Sequence, residues 1–170
     1  MAISKKMATA LNNQVKNEFF SYWTYLAMAY SLDTMGYKIF SKWFHAQADE
    51  EQAHALKMAA YIADQGAEVK LQELEPPKSN YKTVQQVVEE ALKHEIFITD
   101  CINKLVDIAL KESDHATNSF LQWFVAEQVE EVATANELLD LVKMSTESGQ
   151  LLMIEDRIMA LRGGGGEASA

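Results

Sequence analysis

Apolar side chains recur at alternating three- and four-residue steps along four stretches of this chain, a spacing that lays a stripe down one face of an α-helix. The first stripe is Leu11, Val15, Glu18, Tyr22, Tyr25, Ala29 and Leu32, and the second is Phe40, Phe44, Gln47, Glu51, His54, Met58 and Tyr61. The third is Val84, Val88, Ala91, Glu95, Ile98, Ile102, Leu105 and Ala109. Leu121, Phe124, Gln128, Glu131, Ala135, Leu138 and Val142 make the fourth. The stripes predict helices over about Met7–Leu32, Tyr37–Gln65, Thr83–Glu112 and His115–Met144. Ser4 is placed to cap the first, Gly36 and Gly66 to stop the first two, and Thr83 with Gln86 to open the third as a capping box. The first pair of helices is joined by almost nothing, as is the second, so each should form an antiparallel hairpin. The sixteen or so residues between the pairs, Ala67 to Lys82, hold both prolines and can run the length of a bundle at about 3.3 Å per residue. The expectation is therefore an all-α four-helix bundle, two hairpins linked by one long crossover. A short amphipathic stretch, Gln150 to Leu161, predicts a fifth helix too apolar to stand alone, consistent with packing in a subunit contact and less so with docking on its own bundle. Residues 1–162 read as one domain and 163–170, rich in Gly, as a flexible tail.

Composition narrows the function classes. With 48% hydrophobic residues over 170 positions, the chain can bury a core unaided. A formal net charge of −10 repels nucleic acid and anionic membranes and attracts cations, so neither nucleic acid nor membrane is expected as a partner. No apolar run reaches spanning length and the N-terminus lacks a signal-peptide pattern. The single cysteine, Cys101, gives no disulfide framework, which fits a cytoplasmic protein.

The four stripes share one anomaly: near its midpoint each carries a glutamate where a leucine would be expected. Glu18, Glu51, Glu95 and Glu131 each lie roughly 20 Å into their helix at 1.5 Å per residue, so they fall in one layer whichever way the helices run. A buried carboxylate costs several kcal/mol, and four together repel one another. A fold with a net stability of roughly 5–15 kcal/mol cannot carry that without compensation, and no stripe contains Lys or Arg. A divalent or trivalent metal is the economical compensation. Glu51 and His54, three residues apart, share a helix face and can bind one ion together. Oxygen-rich donors with one imidazole and no thiolate suit iron or manganese rather than structural zinc.

The motifs around these residues are Asn17-Glu18-Phe19, His45-Ala46-Gln47-Ala48-Asp49-Glu50-Glu51-Gln52-Ala53-His54, His94-Glu95 and Phe120-Leu121-Gln122-Trp123-Phe124-Val125-Ala126-Glu127-Gln128. Over Ser4 to Leu161 the chain resembles the haem-free bacterial ferritins. That resemblance implies a ferritin-like bundle that stores and detoxifies iron, oxidising Fe(II) with dioxygen or peroxide at an intrasubunit ferroxidase centre. It implies one iron on Glu18, Glu51 and His54 with Gln128 close by, and a second on Glu51, Glu95 and Glu131, with Tyr25 beside the centre. Glu50, Glu127 and Glu130 match a third iron site, and a hollow homo-oligomeric shell of 24 subunits is implied as well. Gln128-x-x-Glu131 stands where a symmetric di-iron bundle has a second Glu-x-x-His motif, which makes the two metal positions unequal. Gln52 stands where bacterioferritins place the methionine that ligates haem, so no haem is expected. Asn118 and Leu121 stand where many animal ferritins carry the acidic residues of an iron channel.

Overall fold

The computed structural model describes residues 3–145 and 148–162. Four long helices build it: α1 (Lys5–Thr34), α2 (Lys38–Asp64), α3 (Val84–Lys111) and α4 (His115–Met144), followed by the short α5 (Ser148–Met153) and α6 (Glu155–Arg162). The expected all-α bundle of two hairpins and one crossover is what the chain forms. No strand occurs among the described residues.

Local chemistry sets each boundary. Ser4 Oγ accepts from the Met7 amide at 2.9 Å, Thr83 Oγ1 from the Gln86 amide at 3.1 Å, and Asp114 Oδ1 from the Thr117 amide at 3.0 Å. The capping box is completed one residue early, since Gln86 Oε1 accepts from the Lys82 amide and not from that of Thr83. Helices α1 and α2 end in paired reverse bonds. The Gly36 and Tyr37 amides donate to the Asp33 and Leu32 carbonyls, and those of Gly66 and Ala67 to Ala63 and Ile62. Both glycines have positive φ, 92° and 73°, as that motif requires. Ser113, at φ 55°, performs the same turn between α3 and α4 without being glycine.

The crossover lies along α1 and is clamped at both ends. Buried Asn12 donates to the Glu68 carbonyl at 3.0 Å and accepts from the Lys70 amide at 2.6 Å, while Ser31 Oγ donates to the Ser79 carbonyl at 3.0 Å. From Asn12 to Ser31 is about 28 Å of helix at 1.5 Å per residue, a distance an eleven-residue extended strand can cover. Asn12→Ala should therefore destabilise the fold by about 1–3 kcal/mol, because the Lys70 amide and the Glu68 carbonyl both lose their partner. Urea unfolding would register this as a lower midpoint at unchanged slope.

The core comes in two clusters, one toward each end of the bundle. Met7, Leu11, Met58, Ile62, Ile102 and Leu121 sit in one, and Met28, Leu32, Phe40, Phe44, Val88 and Leu138 in the other. Between them lies a layer of buried polar side chains. The short C-terminal segment departs from expectation in two respects. It is broken at Ile154 into α5 and α6, and its apolar face docks on its own bundle. Ile158 is fully buried, with Leu151, Ile154 and Leu161 packed beside it against the cluster containing Trp43, Leu139 and Val142. That end of the core would otherwise face water, which is why the segment folds back. Leu152, Met153 and Met159 stay exposed. The tail at 163–170 lies outside the described residues.

Candidate metal centre

Glu18, Glu51, His54, Glu95 and Gln128 are all buried in the polar layer between the two core clusters, and Glu131 stands half-buried at its edge. Glu18, Glu51 and His54 offer one ligand atom each within 4.8 Å of one another, the one such group of three found among the described residues. His54 Nδ1 is 3.8 Å from Glu51 Oε2, as the three-residue spacing on α2 predicts. Glu95 faces the same space from α3, where its Oε1 accepts from the Tyr25 hydroxyl. Tyr25 is buried and stacks at a tilt on Phe44, 5.8 Å between centroids.

Three positioning amides and a hydroxyl complete the layer. Gln14 Nε2 donates to Glu18 Oε1 at 2.8 Å. Gln47 Nε2 donates to Glu131 Oε2 at 2.7 Å and reaches Glu51 Oε1 at 3.5 Å, tying α2 to α4. Thr99 Oγ1 lies 2.8 Å from both Gln128 Oε1 and the Glu95 carbonyl, and its one proton serves either acceptor, which places Gln128 beside α3. Gln14 and Thr99 lie outside the four stripes and are not expected in the site from the sequence. A signal was present: Gln14 precedes Glu18 by four residues, as Gln47 precedes Glu51, so both amides lie one turn from an inward acid.

Burial dominates the electrostatics. It lifts Glu18 from the usual carboxyl value to about 7, against the pull of the Gln14 amide. Burial also lifts Glu95 to about 7, against the Tyr25 hydroxyl and Gln128. Glu51 is raised well above the ordinary range by burial and then by Glu95, Glu18 and Glu131. Glu131 is raised in the same way by burial, Glu95 and Glu50. Tyr25 is held well above its normal value by burial and the surrounding carboxylates. His54 moves down to about 4, first through burial and then through the positive charge of Lys57. The site is thus four acids that resist ionisation around an imidazole that is neutral at physiological pH.

A cation fits this chemistry. The buried Glu18 Oε2 has no hydrogen-bond partner, and a neutral histidine has a lone pair to give. A metal ion would let the acids shed their protons and replace mutual repulsion with coordination. No thiolate is near, so hard or borderline ions are favoured.

Glu50, Glu127 and Glu130 form a separate, wetter group. Glu50 and Glu130 are exposed and Glu127 is half-buried. Glu127 is raised by burial and then by Glu130 and Glu50, while Lys57 opposes the shift. Asn118 is half-buried and Leu121 fully buried, so Leu121 serves the core.

Comparison with known proteins identifies a family for the fold. A family model described as a ferritin-like domain matches residues 8–145. A bacterial non-heme ferritin of Bacteroides fragilis (strain 638R) is 37% identical over 147 residues, 86% of this chain and 92% of its own length. One from Campylobacter jejuni is also 37% identical, over 160 residues, 91% of this chain and 93% of its own. Among solved structures, an open-pore ferritin from the hyperthermophilic archaeon Archaeoglobus fulgidus superposes with a TM-score of 0.89 at 39% identity, covering 92% of this chain and 96% of that one.

Proposed function

The chain belongs to the ferritin family, and on that premise we propose that it stores and detoxifies iron, oxidising Fe(II) to Fe(III) in the buried layer and passing the product into a hollow shell of its own copies. The observation that carries this reading is the convergence of Glu18, Glu51 and His54 on one point, with Glu95 and Glu131 facing it. One ferrous ion would take Glu18, Glu51 and His54, with Gln128 nearby. A second would take Glu51, Glu95 and Glu131, so that Glu51 bridges. Iron is substrate here, and dioxygen or peroxide takes its electrons. Anionic oxygen donors favour the harder ferric ion, which eases electron loss. Tyr25, donating to Glu95, would hold that carboxylate and stand close enough to give an electron.

Asymmetry serves turnover. His54 binds on one side only, and on the other Glu131 offers a carboxylate at the half-buried edge of the layer. Ferric product would leave by the side that holds it less rigidly, toward Glu50, Glu127 and Glu130, a third place for iron. Mineral needs an enclosed volume, so the working form would be a homo-oligomeric cage, expected as 24 chains by family resemblance. The absence of any helix long and apolar enough to cross a membrane among the described residues is compatible with a cytoplasmic site of action. Neither haem nor nucleic acid enters this reading.

The test is to mix anaerobic Fe(II) with metal-free protein in aerated buffer and follow ultraviolet absorbance in stopped flow. A fast phase saturating at two ferrous ions per chain is expected, with the protein eluting as a large assembly on size exclusion. Oxidation no faster than in protein-free buffer, or a monomer that mineralises nothing, would overturn the reading.

A further inference from the structure

Glu18 is held by one of its two oxygens. Buried Gln14, four residues earlier on α1, donates from Nε2 to Glu18 Oε1 at 2.8 Å. The orientation of that amide is set from behind, where half-buried Asn17 donates from Nδ2 to Gln14 Oε1 at 3.0 Å. Nitrogen therefore faces the carboxylate and oxygen faces away. Glu18 Oε2 is also buried and has no hydrogen-bond partner. The same spacing on α2 ends differently: Gln47 reaches Glu51 Oε1 at 3.5 Å and makes its closer bond, 2.7 Å, to Glu131. Of the two Gln-x-x-x-Glu pairs in the layer, the one on α1 holds its own acid.

We propose that Gln14 and Asn17 are positioning residues of the metal centre: together they occupy Glu18 Oε1 and present Oε2 as the one donor this acid offers to an ion shared with Glu51 and His54. The inference rests on the metal-binding reading proposed above and deepens it.

The argument is one of geometry and donor chemistry. A carboxylate can bind a cation through one oxygen or through both. An oxygen already accepting from an amide is the poorer metal donor, so Gln14 selects the one-oxygen mode before an ion arrives. A ligand fixed in advance also spares the entropy of ordering it on binding. The Gln14 amide alone is ambiguous, because its two ends have nearly the same shape and opposite hydrogen-bonding character. Turned over, it would set its own oxygen against Glu18, acceptor to acceptor. Asn17 prevents this by claiming the Gln14 oxygen. A side chain one step removed from the ligand thereby decides how the ligand is presented. Packing alone would need neither the nitrogen end of Gln14 nor the nitrogen of Asn17.

The test uses cobalt(II), which is stable in air and reports its coordination by visible absorption, titrated into the full-length metal-free protein by calorimetry and spectroscopy. Gln14→Met keeps the volume and removes the donor. Outer partners of metal ligands are worth about 10–100-fold in affinity, so the ion on Glu18 should be held at least about tenfold more weakly. Its visible spectrum at saturation should also change, because Glu18 is then free to bind through both oxygens. Asn17→Asp is the sharper variant. Its added negative charge alone would tighten binding, whereas the lost donor turns Gln14 over and should weaken binding by about threefold to tenfold. Unchanged affinity in Gln14→Met would overturn the proposal. So would weaker binding with the wild-type spectrum at saturation, since a looser fold lowers affinity without altering ligation. Asn17→Asp binding as tightly as wild type, or tighter, would overturn it too, and this variant decides alone should Gln14→Met fail to fold. Glu51→Ala separates the two levels. If it leaves the wild-type titration unchanged, the metal-centre reading itself is lost, and the proposal with it. If it abolishes binding while the Gln14 and Asn17 variants bind as wild type does, the proposal alone fails.

Discussion

Replacing Glu51 should separate what the buried layer does for function from what it costs the fold. Glu51→Ala is expected to slow the fast phase of ferrous oxidation by more than about a hundredfold, because losing even an outer partner of a metal ligand costs 10–100-fold and Glu51 is the carboxylate both irons would share. The same acid burdens the metal-free protein. It is buried against Glu18, Glu95 and Glu131, and those neighbours add to the burial penalty on its charge. Glu51→Gln keeps the volume and removes that charge, and its amide can turn its oxygen to the Gln47 donor and its nitrogen to Glu18. The metal-free Gln variant should therefore melt several degrees above the parent, taking about 2–4 °C per kcal/mol for a chain of this size. Alanine gains the same relief but leaves a cavity, and its melting point should fall below that of the Gln variant. Added metal should raise the parent's melting point and barely move either variant. Calorimetric melts with and without cobalt(II) decide it. A Gln variant that keeps the fast phase, or melts lower than the parent without metal, would show that Glu51 is an ordinary satisfied core acid.

How far the sequence reveals this site depends on whether a residue's role is local. Glu18, Glu51, Glu95 and Glu131 stand out because an acid at core spacing contradicts the stripe it interrupts, and that contradiction is visible within one helix. Glu51 and His54 are legible as a pair for the same reason, since three residues is one face. The long helices, both hairpins and the crossover follow from stripe lengths and from Gly36, Gly66 and Thr83. What escapes is set by partners distant in the chain. The double reach of Gln47 to Glu51 and Glu131 spans 84 positions on its longer arm, and the Asn12 clamp spans 58 on its own. Asn12 violates no local pattern, and Gln47, though it interrupts its stripe, gives no sign of its partner on α4. Ser113 adopts a glycine-like φ because the reverse bonds from Ser113 and Asp114 to Leu110 and Ala109 close the end of α3, and a serine there gives no warning. The last segment misleads for a different reason. Its apolar count is right for burial, but only the open end of the core around Trp43 and Val142 shows that the surface it covers belongs to its own chain.

The pH response of stability should reverse when the centre is filled. In the metal-free fold Glu18 and Glu95 titrate near 7 in place of 4.5, and Glu51 and Glu131 are displaced in the same direction. Between the unfolded and folded values such a carboxyl binds its proton only when folded, so stability falls as pH rises through that window. His54 and His94 act in the opposite sense. Each is lowered from 6.5 to about 4, chiefly by burial, so the unfolded chain binds the extra proton and stability rises with pH from about 4 to 6.5. Between the two sets the acids are the more numerous, so their sense prevails where both titrate. Above pH 6.5 the histidines are neutral in both states and the acids act unopposed, so the decline is steepest there and eases as Glu18 and Glu95 lose their protons. Metal removes the cause. A bound ion requires ionised carboxylates, so loading expels protons and binds more tightly as pH rises. The metal-free protein should thus melt at progressively lower temperature from pH 6 to 8, while the stabilisation conferred by saturating cobalt(II) grows over the same interval. Calorimetric titrations in buffers of different ionisation enthalpy would count the protons released, and more than one per chain is expected at pH 6.5. Metal-free stability that climbs from pH 6 to 8, with no proton release on loading, would mean that the four acids are already ionised and compensated by something other than metal.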